Sequence, residues 1–160
     1  MRVLTVNRIM MAMLCFSMAC HLGRPPVATT RYKVGQVIVP VAEPALTDAL
    51  KGGLALALTH RTLMSQADGQ AVNIAVLSAT SMATGVGPTS QIHTARLQFS
   101  VQVGDRRSQF SAERSFTVID EVQGATARAE AFAELSRRLT EDAAIWLATA
   151  PPEKSETPEP

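Results

Sequence analysis

Residues 92–103, IHTARLQFSVQV, carry a period of two. Leu97, Phe99, Val101 and Val103 share one parity, while Arg96, Gln98, Ser100 and Gln102 share the other. Successive side chains of a strand point to opposite faces, so this stretch predicts a strand with one buried and one wet face. Gly104-Asp105-Arg106-Arg107 follows as a hairpin turn. Ser108 to Ile119 then returns with Phe110, Ala112, Phe116 and Val118 on one parity. Arg114 interrupts that parity, which predicts either a bulge or a position near the sheet edge. His93 falls on the parity of Leu97 and Phe99 and is expected at the edge of the core.

Upstream, a strand begins at Ala71, with Val72, Ile74 and Val76 alternating against Asn73, Ala75 and Leu77. Residues 78–90, SATSMATGVGPTS, are small and polar and contain Gly and Pro, so the strand is expected to fade into a long, mobile loop. Before the strand, Glu43-Pro44 opens a helix, because proline suits a first turn and a carboxylate suits a positive N-terminus. Leu46, Leu50, Leu54 and Leu58 give it one apolar stripe. Gly52-Gly53 weakens this helix by about 1 kcal/mol per glycine and is expected to permit close approach to a sheet. His60-Arg61 complements its negative end. Val34 to Val41, VGQVIVPV, is β-branched and predicts a strand, in which Pro40 marks either a sheet edge or the strand's end.

Downstream, from about Thr126 to Ala148, Phe132, Leu135, Leu139, Ala143 and Trp146 recur at spacings of three and four, which predicts a helix. Glu134 with Arg138, and Arg137 with Glu141, are expected to pair along it. Pro151-Pro152 stops it, and residues 150–160 form a tail that is disordered by composition. The order β-α-β-β-β-α, with consecutive hairpins, predicts an α+β fold over residues 34–149. It is a two-layer sandwich, a mostly antiparallel four-stranded sheet with two helices on one face.

The first twenty residues, MRVLTVNRIMMAMLCFSMAC, have a different character. Arg2 and Arg8 precede an apolar run from Ile9, and small Ala19 precedes Cys20. A basic start, a short apolar middle and a small exit residue mark a signal peptide over residues 1–19. The run is shorter than the roughly 20 apolar residues that a membrane span needs. Two exits fit best, cleavage at a small-x-small site or the lipoprotein exit at Ser17-Met18-Ala19-Cys20 with acylation of Cys20; a retained anchor is the third reading. Residues 20–33, with Pro25-Pro26, read as a tether. The only cysteines, Cys15 and Cys20, lie in the leader region, so the domain is expected to rest on its core without disulfides and to hold no thiolate-bound metal.

The chain has 15 basic and 14 acidic residues; loss of Arg2 and Arg8 with the leader leaves 13 against 14, a balance of −1. With no basic run and 4% aromatic residues, the composition argues against nucleic-acid binding. No catalytic residue, cofactor or metal site is assigned. His60 reads as a helix-end surface residue, no serine has a nucleophile-elbow context, and Gly85-Val86-Gly87-Pro88 lacks the Lys-Ser/Thr of a phosphate loop. Glu113 and Asp120 are expected to lie unpaired. The best binding candidates are Arg106 and Arg107, two cations at a hairpin tip suited to phosphates or to acids on a partner. The loop expected at residues 78–91 is the second.

Cys20, the strand VIVPV, the helix from Pro44 to Arg61, the strand IHTARLQFSVQV, the segment AERSFTVID and the helix AEAFAELSRRLTEDAAIWLA together resemble the LPS-assembly lipoprotein family (LptE-like). The resemblance spans most of residues 20–148. It departs where His21-Leu22 replace the usual glycine and aromatic, and in the Gly/Ser/Thr-rich stretch at 78–91. It implies a non-catalytic lipoprotein of the Gram-negative envelope, anchored by acylated (palmitate-bearing) Cys20 to the periplasmic face of the cell outer membrane. Its implied partner is the outer-membrane β-barrel that inserts lipopolysaccharide, with lipopolysaccharide itself near Arg106 and Arg107. A periplasmic location, and a subunit of another envelope transport or secretion complex, remain the alternatives.

Overall fold

A computed structural model describes residues 30–40, 44–87 and 89–149. The elements run β1 (Tyr32–Ile38), α1 (Pro44–His60), β2 (Gln70–Val86), β3 (Gln91–Val103), β4 (Arg106–Val118) and α2 (Glu121–Thr149). The sheet order is β1-β2-β3-β4. β1 and β2 are parallel, joined by α1, and the two following pairs are antiparallel. The expected β-α-β-β-β-α sandwich is therefore present.

Its core forms as the period-two pattern requires. Leu97, Phe99 and Val101 are wholly buried, and Val72, Ile74 and Val76 flank them on β2. The leucine stripe of α1 and the residues Phe132, Leu135, Leu139, Ala143 and Leu147 of α2 close over the same side, in one continuous apolar cluster. Both helices thus cover one sheet face. Arg114 does not mark a bulge: β4 pairs with β3 without a break in register, and it is the edge strand. Arg114 reaches up to Glu134 on α2 in an ion pair instead.

Several boundaries differ from expectation. Residues 78–86 continue β2 rather than fading into a loop. Register shifts at Val76/Ser78 and Ala83/Gly85 reset the parity twice, which hides the strand from a strict period-two reading. The folded part begins at Tyr32, inside the expected tether. Tyr32 is 2% exposed, and its hydroxyl donates to the Leu147 carbonyl at 3.2 Å. α2 starts five residues before Thr126, where Asp120 Oδ1 accepts from the Gln123 amide at 2.8 Å as an N-cap. Glu134 and Glu141 pair across the fold, to Arg114 and Arg61, instead of along the helix. Gly53 approaches Thr140 of the other helix rather than the sheet. The leader, Cys20 and the tail at 150–160 lie outside the described residues.

Candidate functional site

The face of the sheet turned away from the helices is assembled from three strands in register. Thr80, Met82, Arg96, Thr94, Glu113 and Ser115 lie side by side through the pairs Thr80↔Arg96, Met82↔Thr94, Arg96↔Glu113 and Thr94↔Ser115. Their side chains link across the strands. Thr94 Oγ1 lies 3.1 Å from both Thr84 Oγ1 and Ser115 Oγ, and Arg96 donates through Nε and Nη2 to Glu113 Oε2 at 3.1 and 2.7 Å. Opposed hydroxyls and opposite charges are the favourable cross-strand combinations. The result is a hydroxyl-rich plane, interrupted by exposed Met82 and Ile92, whose central ion pair is internally neutralised. Glu113 is thus paired, not isolated as the sequence suggested, and Asp120 caps α2.

Arg106 and Arg107 sit beside a two-residue turn, Gly104-Asp105, with Gly104 at φ 54°. Because both arginines already belong to β4, they point to opposite faces. Arg106 lies on the helix side, its guanidinium 4.6 Å from the centre of the Trp146 ring. Arg107 lies on the open face and donates to Ser100 Oγ at 3.2 Å. The structure therefore does not bring the two cations together on one surface.

At the far end of the sheet, where β2 meets β3 and β4 meets α2, a cleft of 740 Å³ opens on the helix side. Val86, His93, Phe116, Val118 and Ile119 give it apolar walls, and Asp120 and Arg128 stand at its rim. His93 occupies the core-edge place its parity predicts. Its ring packs 5.7 Å from Phe116, and Nε2 lies 3.1 Å from Gln91 Oε1. His60 is at the end of α1, near the opposite end of the sheet. Among the described residues no group of three His, Cys, Asp or Glu side chains converges as a metal site. The cleft was not legible in the sequence, because it depends on β2 extending to Val86 and on α2 starting at Glu121.

No protein-family model and no curated protein matches the chain. Among solved structures it is similar to a minor lipoprotein from Acinetobacter baumannii, with 20% identity over 72% of this chain and 93% of that one, at a TM-score of 0.47. A Xanthomonas campestris protein of the DUF330 family gives 14% identity, 78% and 88% coverage and a TM-score of 0.48. Rare lipoprotein B from Shewanella oneidensis gives 13% identity, 72% and 89% coverage and a TM-score of 0.36.

Proposed function

We propose that the chain is a non-catalytic lipoprotein of the Gram-negative envelope, anchored to the outer membrane through Cys20, that assists lipopolysaccharide assembly by docking on a β-barrel translocon. The observation that carries this reading is a sheet face that no described residue covers, and the leader expected over residues 1–19, followed by Cys20, supports it. A hydroxyl-rich plane whose Arg96 is paired with Glu113 matches the polar interior of a barrel, and Arg107 is the cation on that face for a partner carboxylate to meet. Anchor geometry agrees with it. The described chain begins beside Tyr32, and Leu147 near the end of α2 touches that residue, so both ends leave the domain at one pole. A tether there turns the opposite pole, with its cleft, away from the membrane.

The separation of Arg106 from Arg107 favours a second reading, a subunit of another envelope transport or secretion complex. A site for lipopolysaccharide phosphates would want both cations on one surface.

Membrane fractionation of the wild type and Cys20→Ala, with the mass of the mature N-terminus, tests the anchor. A mass increment at Cys20, and release of Cys20→Ala from the membrane, are expected. Solubilised wild type is then purified by affinity. A large co-purifying β-barrel supports the lipopolysaccharide reading, other envelope proteins support the second, and an unmodified soluble monomer overturns both.

A further inference from the structure

The sheet has two edges, and they are treated differently. At β1, the Tyr32 amide donates to the Leu63 carbonyl and the Tyr32 carbonyl accepts from Ser65, both at 2.8 Å, so connecting chain covers the start of the edge, and a register irregularity between Val34 and Val37 interrupts the strand's regular pairing. Among the described residues nothing protects β4 in this way. It runs 13 residues in unbroken register with β3, without proline or bulge. Its closing pair is Val103↔Arg106 across a two-residue turn, and such a pair exchanges both ladder hydrogen bonds. Even-numbered residues of β4 therefore bond inward to β3. The amides and carbonyls of Arg107, Gln109, Ser111, Glu113, Ser115 and Thr117 point outward along the free edge.

We propose that this edge pairs with the same edge of a second copy of the chain, β4 against β4, giving a two-fold dimer with a continuous eight-stranded sheet. One charged pair favours a register. In an antiparallel pairing centred on Phe110, Arg107 stands opposite Glu113 of the second copy, whose Oε2 is already held by Arg96 of its own chain, leaving Oε1 for the newcomer, and Gln109 stands opposite Ser111; two-fold symmetry repeats both pairs. All four residues are odd-numbered and so meet as hydrogen-bonded pairs, which the free ladder groups require. On the open face the edge charges thus join Arg96, Glu113 and the second copy's Arg107 in one network. On the helix side the same register sets Phe110 beside its counterpart. Arg106 comes opposite Arg114, but each is already held within its own chain, by Trp146 and Glu134.

The inference goes beyond the envelope function and does not depend on it. Its test is the mass of the full-length chain, purified in detergent, by light scattering over a concentration series. Wild type is expected to be dimeric. Arg107→Glu places like charges opposite Glu113 at both ends of the seam and is expected to raise the dimer dissociation constant about tenfold or more, a change of about 1.4 kcal/mol. Ser111→Pro removes an outward amide while sparing every bond to β3, and is expected to give a monomer with unchanged far-ultraviolet circular dichroism. If Ser111→Pro does not fold, Gln109→Pro, at the next outward position, replaces it. A wild type that stays monomeric overturns the proposal. So does a dimer that withstands both substitutions, since it must form elsewhere.

Discussion

Gly53 of α1 and Thr140 of α2 meet where the two helices cross: a methyl group added at Gly53 would lie 2.7 Å from Thr140 Oγ1. Thr140 is fully buried, and its hydroxyl donates to the carbonyls of Ser136 and Arg137 at 2.8 and 3.0 Å. It has no free direction in which to turn. Gly52, one residue away, has nothing within 4 Å of the corresponding position.

These neighbours should therefore respond to alanine with opposite signs. Gly52→Ala is expected to gain about 0.5–1 kcal/mol from helix propensity alone. Gly53→Ala has the same gain, but overpacking of about 1–3 kcal/mol opposes it, so the net result is destabilising. Adding Thr140→Ala to Gly53→Ala should recover part of the loss. Urea unfolding of the wild type, Gly53→Ala, Thr140→Ala and the double variant, treated as a double-mutant cycle, measures the coupling. Equal effects at both glycines would mean the helices do not cross at Gly53.

Tyr32 should behave as core, not as tether. Burial of the ring predicts a loss of about 3–5 kcal/mol for Tyr32→Ala. The hydroxyl alone, bonded to the Leu147 carbonyl at 3.2 Å, predicts about 0.5–1.5 kcal/mol for Tyr32→Phe. Chemical denaturation distinguishes the two. If Tyr32→Ala unfolds at the wild-type denaturant midpoint, the domain begins later, as a boundary at residue 34 would have it.

What the sequence made legible follows from physical regularity. Leu46, Leu50, Leu54 and Leu58 are all buried at 4% or less, and β3 has the parity its alternation announces. Both elements repeat one backbone geometry without interruption. β2 beyond Val76 was hidden because two register shifts break its parity and because Ser, Thr, Ala and Gly bury little area; pairing with β3 fixes it as strand instead. The start of α2 carried a signal, Asp120 followed three residues later by Gln123, but Gly124 masked it. The split of Arg106 from Arg107 turned on one choice, a two-residue turn instead of a four-residue one. No local pattern could show the cleft, whose walls come from β2, β3, β4 and α2.

Trp146 is the sole tryptophan, which makes the docking of α2 on β4 directly observable. Its ring packs edge-on to Phe110 at 6.3 Å, under the Arg106 guanidinium. Arg106→Ala is expected to shift its fluorescence emission and to lose about 0.5–1 kcal/mol of stability. Arg107→Ala, on the opposite face, should leave the emission unchanged. Emission spectra of the two folded variants settle the matter: a shift with Arg107→Ala and none with Arg106→Ala would reverse the faces assigned to them.

Thr62 is the position most open to improvement. It ends α1 with φ at 55°, in the left-handed region, where a β-branched residue is strained. The hydrogen bonds show why the chain holds it there. The Leu63 amide donates to the Leu58 carbonyl at 2.9 Å, and the Thr62 amide to the Thr59 carbonyl at 3.0 Å. That is a Schellman ending, whose left-handed residue is usually glycine. Leu63, 5% exposed, anchors the motif in the core and leaves Thr62 no alternative. The Thr62 hydroxyl does no more than donate to the Arg61 carbonyl at 2.7 Å, at an exposed site. Thr62→Gly relieves the strain but frees the unfolded chain, so the expected net gain is about 0.5–1 kcal/mol. Thr62→Asn, with a smaller entropy loss and a tolerance of the left-handed region, should also stabilise. Thr62→Val keeps the branching and loses the hydroxyl, and should not. Thermal melts of the three variants give the order; a stabilising Thr62→Val would place the strain elsewhere than in this backbone angle.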